Sequence, residues 1–567
     1  MAILERRILL YLIILFSALT LLELPGSFLF EPDEARYAEI PREMLATKDF
    51  VTPHLNGSVY LEKPPLLYWV NSISMAVFGE NPYAARLPSR LAFLGVILIL
   101  ILGLKTPVIP ECFNRESMDS CFRRNDGSGG NDEMQAGFWA ALIFICNPLS
   151  MALSRLNLTD GLLTFSITLA FFCLKELLIP RAEEKNKSPV IWQIGLGGAM
   201  ATAFLTKGLI GVVFPGITLI FWCAWFRSWR LFRDILLSWA GPVFFALVLP
   251  WFILVERANP GFLNFYFIYE HFQRFTTEAA KRPGPVYYFI LTFLLGFLPW
   301  TFFFANAIKK GVVKLWRREA GPEAFFTFWF LFILLFFSVS KSKLIPYIFP
   351  IWPAAAALLG LEFSEKPELG RRASLSYAIS LSLVFPVAFF FGLREQIFDR
   401  YSLLVQAVAL AIVLVVGAWI GFLLDRRGRR EAWMAAVISW LLAFGILIST
   451  IPALAADYST TPFAAKLKHL GVQSLVGYKC YPVNLSFDLK KTIPTVSQRG
   501  ELATLGPLDS NLFWDEISFW ARWNSDDKMA AVVRTGDIGI FQENTLKPSF
   551  AIDRNPRYYL LANFPTD

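Results

Sequence analysis

Charge is scarce in this chain. Of its 567 residues only 17% are Asp, Glu, Lys or Arg, whereas 55% are hydrophobic and 16% aromatic, with a mean hydropathy of +0.48. That shortage excludes a soluble globular protein, in which about a quarter of residues are charged. Apolar runs of ~20 residues recur along the chain and read as spans of a multi-pass membrane protein. Cysteine is also sparse. Cys146, Cys173 and Cys223 fall in apolar runs, Cys112 and Cys121 share a loop with no CxxC or ligand-spaced histidine, and Cys480 stands alone in the tail. This excludes a disulfide framework. No A-x-A cleavage site follows the N-terminal MAILERR and its apolar run, so the run reads as a retained first span. No internal repeat is found. The formal net charge of +8 is spread over short loops between spans, which excludes nucleic acid as a partner.

Hydropathy predicts about thirteen spans. They cover 8–27, 83–104, 135–153, 161–179, 191–205, 208–226, 235–255, 286–307, 323–339, 345–361, 374–391, 402–423 and 433–451. Basic residues occupy alternate loops, from Arg6 and Arg7 through Arg227, Arg230 and Arg233 to Arg426, Arg427, Arg429 and Arg430. By the positive-inside rule these loops and the N-terminus are cytoplasmic. The first long loop and the tail then lie outside, which for the inner membrane of a bacterium means the periplasm. The expected organisation is mainly α: a membrane domain over 1–451, with a first periplasmic loop at 28–82 and a Gly-, Asn- and Ser-rich cytoplasmic insert at 105–134. A small C-terminal α/β domain follows over 452–567, with TPFAAKLKHLG as a helix and SLVGYK, AAVVRTG, DIGIFQE and PRYYLLANF as strands.

The remaining polarity is concentrated in that first loop, where Glu31, Asp33, Glu34, Glu39, Glu43, Asp49 and Glu62 accompany Arg36, Arg42, His54 and Lys63. Pro32-Asp33-Glu34 is a helix start, with proline in the first turn and carboxylates facing the positive end of the helix dipole. Asp33, Arg36 and Tyr37 then share one face. Pro41 is expected to end or kink this helix. Other polar residues fall on the same side of the membrane: SRLNLTD with Asp160, TKG with Lys207, EHFQRF with His271 and Arg274, and SKSK with Lys341 and Lys343, just before Tyr347.

Each residue alone has a plainer explanation. A single lysine at a span end usually snorkels to the interface, Asp160 suits a helix cap, a lone histidine is more often a packing residue, and Glu62-Lys63 is equally well a solvated pair. Taken together, Lys63, Lys207, Arg274, Lys341 and Lys343 occupy the side that the positive-inside rule disfavours for cations. Recognition of an anion, phosphate above all, accounts for them. Carboxylates among such cations suit glycosyl transfer, in which one group stabilises an oxocarbenium-like centre and the cations hold a leaving phosphate. Glu62 and His271 offer O and N donors for zinc or another divalent ion, although two ligands are a weak metal signal.

The stretches EPDEARYAEIPREMLATKDFVTPHLNG, YLEKPPLLYW, NPYAARLPSR, SRLNLTDG, LTKG, EHFQRF and KLIPYIFP together resemble the lipid A aminoarabinose transferases. More broadly they resemble the GT-C glycosyltransferases, which include the protein O-mannosyltransferases. The resemblance covers most of the membrane region in matching order and fades in the insert and the tail. It implies a GT-C helical bundle, an undecaprenyl-phosphate-linked sugar donor, lipid A as acceptor, and no nucleotide or redox cofactor. Position by position, it makes Asp33 of the first-loop DE motif the principal catalytic carboxylate, with Glu34 beside it and Asp160 in support. It places Arg36, Lys63, Lys207, Arg274 and Tyr347 around donor and acceptor phosphates, and Glu62 with His271 at a metal site; Tyr37, Lys341 and Lys343 join the expected phosphate-binding set through their position on the same side of the membrane. The alternative within the fold is transfer to a protein hydroxyl or another envelope glycan. A transporter would require charges deep in spans, paired broken helices and repeat symmetry, and none is evident.

Overall fold

The computed structural model describes residues 2–24, 27–104, 129–179, 189–273, 284–365, 374–383, 386, 401–428, 432–472, 474–497 and 509–565. Most of the 105–134 insert, Cys112, Cys121 and Arg274 lie outside them, as does the side chain of His271. The chain forms two compact units, one of residues 1–22, 89–250 and 269–447, the other of 23–88, 251–268 and 448–567.

The first unit is helical, and the protein is a multi-pass membrane protein. Among the described residues of the whole chain, seven helices are long and apolar enough to cross a membrane, or up to eight if one bent pair is a single span. Shorter apolar helices, including Gln135–Ile145, Ile210–Trp225 and Ser374–Leu383, fall where further spans are expected. The bent pair corrects the span expected at 286–307. Helices Tyr288–Gly296 and Thr301–Trp316 meet at 118°, with Pro299 in the break, where it can supply no N–H to the preceding turn. Trp300 fixes the break by donating its indole N–H to the Cys146 carbonyl at 2.6 Å. The expected pair at 191–226 is two helices, Val190–Lys207 and Ile210–Trp225, divided at Gly208 with φ +85°.

Small residues permit a close helix approach in this unit. Ala354–Ala357 and Gly360 of the Trp352–Glu365 helix are buried against Gly129–Ile145, where a Cβ on Gly360 would lie 2.6 Å from the Ala136 carbonyl oxygen. In lipid, where burial gives little hydrophobic gain, this intimate packing is what holds helices together. Aromatic contacts add to it, as where the Trp329 and Phe171 rings stack at 4.4 Å.

The second unit joins the first loop to the tail, and so is wider than the 452–567 domain expected from sequence. Its loop portion holds the helix Asp33–Thr47, a two-stranded hairpin of β1 (His54–Leu55) and β2 (Ser58–Val59), and the apolar helix Leu66–Phe78. Pro41 neither ends nor visibly divides the Asp33–Thr47 helix. Proline removes the N–H that would reach the Tyr37 carbonyl, and the Asn71 side-chain amide donates to that carbonyl instead, at 2.9 Å. The orphaned acceptor is satisfied from another helix, so the Asp33–Thr47 helix continues.

The tail contributes β3 (Ser474–Tyr478), β4 (Thr495–Val496), β5 (Phe513–Trp514), β6 (Met529–Arg534), β7 (Phe550–Arg554) and β8 (Tyr558–Ala562) in the order β5-β4-β3-β6-β8-β7. The first four run parallel and the last two pair antiparallel. Leu475, Ala530, Val532 and Leu560 enter one apolar cluster, and Val476, Ala531, Val533 and Leu561 enter another. Alternation along each strand thus buries both faces, as parallel sheets require. DIGIFQE, expected as a strand, is instead the helix Ile538–Asn544, whose Phe541 is fully buried in the second cluster. An I-x-I-F pattern satisfies a period of two or of 3.6, and tertiary packing decides.

Candidate functional site

Two polar clusters carry the residues singled out from sequence, one in each unit. In the helical unit Asp160 lies in the first turn of helix Thr159–Leu178, and Lys207 ends helix Val190–Lys207. Lys207 Nζ donates to Asp160 Oδ1 at 2.5 Å and sits 4.5 Å from the centroid of the Tyr347 ring. Asp160 is not the cap of its helix: Leu158 holds that position and makes no side-chain bond. Nor does Lys207 snorkel. Its side chain is only 12% exposed, paired with a carboxylate and held over an aromatic face. The structure therefore joins Asp160, Lys207 and Tyr347, three separately chosen residues.

Lys343 is differently engaged. Its ammonium donates to the carbonyls of Phe337, Ser338 and Ser340 at 3.2, 2.8 and 2.7 Å, closing the end of helix Pro322–Val339. This leaves no donor spare for a phosphate, whereas Lys341 is exposed. Two further buried arginines serve the end of the Ala2–Leu21 helix. Arg155 donates to the carbonyls of Leu19, Thr20 and Leu22, and Arg90 donates to that of Leu21 at 3.2 Å. Cations at a helix C-terminus satisfy its free carbonyls and its dipole together.

In the second unit, Asp33 opens helix Asp33–Thr47 with its side chain 48% exposed, and its Oδ1 lies 3.6 Å from Arg36 Nη2. Arg36 also donates to the Tyr60 hydroxyl at 3.1 Å, and Tyr60 in turn faces Glu62 Oε2 at 3.5 Å. Burial pushes the Tyr60 phenol well above its ordinary range, so it stays a neutral donor. Asp33 and Arg36 thus share a helix face, as their spacing predicts. Tyr37 is buried, its ring 6.2 Å from that of Tyr68, in a packing position. Lys63 is half-buried and has no ion pair among the described residues. Glu62 is the described half of the expected metal pair. Among the described residues no group of three or more His, Cys, Asp and Glu gathers that could hold an ion.

Glu34, chosen with Asp33 as a catalytic carboxylate, is committed elsewhere. Its side chain is 2% exposed, accepts from Arg86 Nε at 2.7 Å and Arg86 Nη2 at 2.8 Å, and receives the Phe30 backbone N–H at 2.9 Å. Arg86 also reaches Glu23 at 2.9 Å and the Phe28 carbonyl at 2.7 Å. Glu34 therefore anchors the helix that presents Asp33. Arg86 lies inside NPYAARLPSR, and its signal was available: an arginine in an apolar helical run has to be paired.

The loop is tied equally firmly to the tail. Asn56 and Ile493 exchange two bonds, at 2.9 and 2.8 Å. Glu43 accepts the backbone N–H groups of Asn56 and Gly57 at 2.7 and 3.0 Å. Glu31 accepts from the Thr460 hydroxyl and the Asn484 N–H, yet burial pushes its carboxyl up from 4.5 to about 7. Between those values the folded protein holds a proton that the unfolded chain has lost. The stabilisation is complete below the lower value and disappears as pH rises through the upper one. The apparent Tm in detergent should therefore decline from pH 5 to pH 8, and less steeply in Glu31→Gln. Equal slopes would place the titrating group elsewhere.

The apolar helices of the first unit, with a carboxylate–lysine pair at the ends of two of them, fit the GT-C class of membrane glycosyltransferases. Residues 131–266 match the family described as dolichyl-phosphate-mannose-protein mannosyltransferase. An undecaprenyl phosphate-alpha-4-amino-4-deoxy-L-arabinose arabinosyl transferase of Sodalis glossinidius is 32% identical over 63% of this chain and 59% of its own length. The enzyme of that name from Pectobacterium atrosepticum is 27% identical over 97% of both chains. The crystal structure of ArnT from Cupriavidus metallidurans bound to undecaprenyl phosphate superposes with a TM-score of 0.79, at 25% identity, over 99% of this chain and 98% of that one. Along nearly its whole length the chain is similar to the ArnT-like aminoarabinose transferases.

Proposed function

We propose that this protein transfers 4-amino-4-deoxy-L-arabinose, or a closely related amino sugar, from undecaprenyl phosphate to a phosphate of lipid A. What carries the reading is the pairing of Asp160 with Lys207 beneath Tyr347, in a chain that superposes along nearly its whole length on an undecaprenyl-phosphate-binding relative. The loops rich in arginine and lysine face the cytoplasm, and the first loop and tail face the periplasm of the inner membrane.

In this reaction an oxygen of the acceptor phosphate attacks the anomeric carbon, and the bond to the donor phosphate oxygen breaks. The electron pair leaves with undecaprenyl phosphate, and the configuration at carbon inverts. An ionised phosphate needs little help from a base. Asp33 therefore acts through its charge, orienting the acceptor and stabilising the positive character that develops at the anomeric carbon. Arg36, Lys63 and Lys207 hold the phosphates. Asp160 keeps Lys207 pointed, and the Tyr347 ring limits its freedom.

Mass spectrometry of lipid A, from cells that make the donor and contain or lack this protein, is the decisive test. The protein should add the mass of one aminopentose. The match to protein mannosyltransferases over 131–266 favours one second reading, a protein hydroxyl as acceptor. Unmodified lipid A together with newly glycosylated envelope proteins would establish that alternative.

A further inference from the structure

Asp33 stands two residues beyond a clasp that the tail places on the chain. Glu31 Oε1 receives both the Thr460 hydroxyl, at 2.6 Å, and the Asn484 backbone N–H, at 2.8 Å. The Asn484 side-chain amide donates to the Leu29 carbonyl at 2.8 Å and to Ser459 Oγ at 2.6 Å. The Glu31 N–H itself faces the Tyr458 carbonyl at 3.4 Å. Glu31, Thr460 and Asn484 are 6, 0 and 1% exposed, so water does not compete for these bonds. Asp33, by contrast, is half open to solvent. Some of the groups that fix the start of its helix are thus drawn from residues more than 400 positions away.

We propose that Glu31 is the positioning residue through which the tail sets the pose of Asp33. A tail deprived of this clasp would leave the helix folded and Asp33 present but displaced. Misplacement by about 1 Å is enough to cost roughly a hundredfold in rate. The chemistry of the clasp distinguishes this role from that of a charge. Both donors converge on Oε1, and the Tyr558 hydroxyl is a further group facing the carboxyl. Glutamine supplies the same acceptor oxygen, so it should serve in place of glutamate, whereas leucine should not. The role rests on the reading that Asp33 acts in sugar transfer.

The test compares full-length wild type with Glu31→Leu, Glu31→Gln, Thr460→Val and Thr460→Ser, using purified undecaprenyl-phosphate-linked aminoarabinose and lipid A. Hydrogen exchange across residues 27–40 is followed in the same samples. Glu31→Leu should lower kcat by roughly ten- to a hundredfold with KM for both substrates unchanged, and exchange should quicken. Thr460→Val should show the same pattern more weakly. Glu31→Gln and Thr460→Ser should return kcat to within about twofold of wild type. An unaltered kcat in Glu31→Leu, or a changed KM with kcat preserved, overturns the positioning role. Glu31→Gln as poor as Glu31→Leu would also overturn it, because charge rather than the acceptor oxygen would then be required. If wild type transfers no sugar, the functional reading fails separately. Unchanged exchange in Glu31→Leu would then overturn the clasp on its own.

Discussion

Asp33→Asn should abolish sugar transfer while leaving the protein folded. Its ion pair to Arg36 at 3.6 Å belongs to a side chain 48% exposed, and pairs of that kind contribute about 0–1 kcal/mol. Asparagine keeps the size and the hydrogen-bonding edge and removes only the charge. If that charge steadies the anomeric centre as the donor phosphate departs, the loss in kcat should be on the order of a hundred- to ten-thousandfold. KM for the donor should move little, since Arg36 and the other cations remain. The apparent Tm should lie within a few degrees of wild type. Full turnover by a well-folded Asp33→Asn would remove Asp33 from the chemistry and shift attention to the Asp160–Lys207 pair.

The parts of the site that were legible in the sequence are those in which one local rule suffices. Pro32-Asp33-Glu34 specifies a helix start, and a spacing of three places Asp33 beside Arg36. Asp160 and Lys207 are conspicuous as charges at the ends of apolar helices. That they pair, 47 residues apart, follows only from the packing of those two helices. The persistence of the helix through Pro41 was hidden for the same reason, since the donor that replaces the missing N–H belongs to Asn71. Nothing in LEKPPLLYWVN advertises that errand.

Glu31 illustrates the limit further. It was one of seven acidic residues in the loop, and its partners Thr460 and Asn484 come from a tail whose sequence shows only an α/β pattern. Glu34 stands beside Asp33 in a two-residue motif, and sequence gives both the same standing. Burial separates them, as one is half exposed and the other enclosed by a guanidinium. Sequence therefore locates the charges, and the long-range partners divide them into those that hold the platform and those free to act.

Arg86→Met tests that division with a large effect on stability. Arg86 is 1% exposed and satisfies Glu34 through two nitrogens, Glu23 through a third contact, and the Phe28 carbonyl as well. Methionine fills much of the volume but leaves Glu34 buried without its cation. Removing one partner of a buried pair costs about 3–5 kcal/mol, because the remaining charge loses its compensation without regaining water. The yield of folded protein and the apparent Tm should both fall sharply. Arg86→Lys should rescue little, since a single ammonium cannot reproduce the fork that reaches two carboxylates and a carbonyl. Adding Glu34→Gln to Arg86→Met should recover part of the loss by removing the stranded charge, although the amide still lacks a full set of partners. Should Arg86→Met be as stable as wild type and yet inactive, Arg86 and Glu34 would belong to the reacting machinery rather than to its support. A stable and active Arg86→Met would show that the helix bearing Asp33 is held by the tail contacts alone.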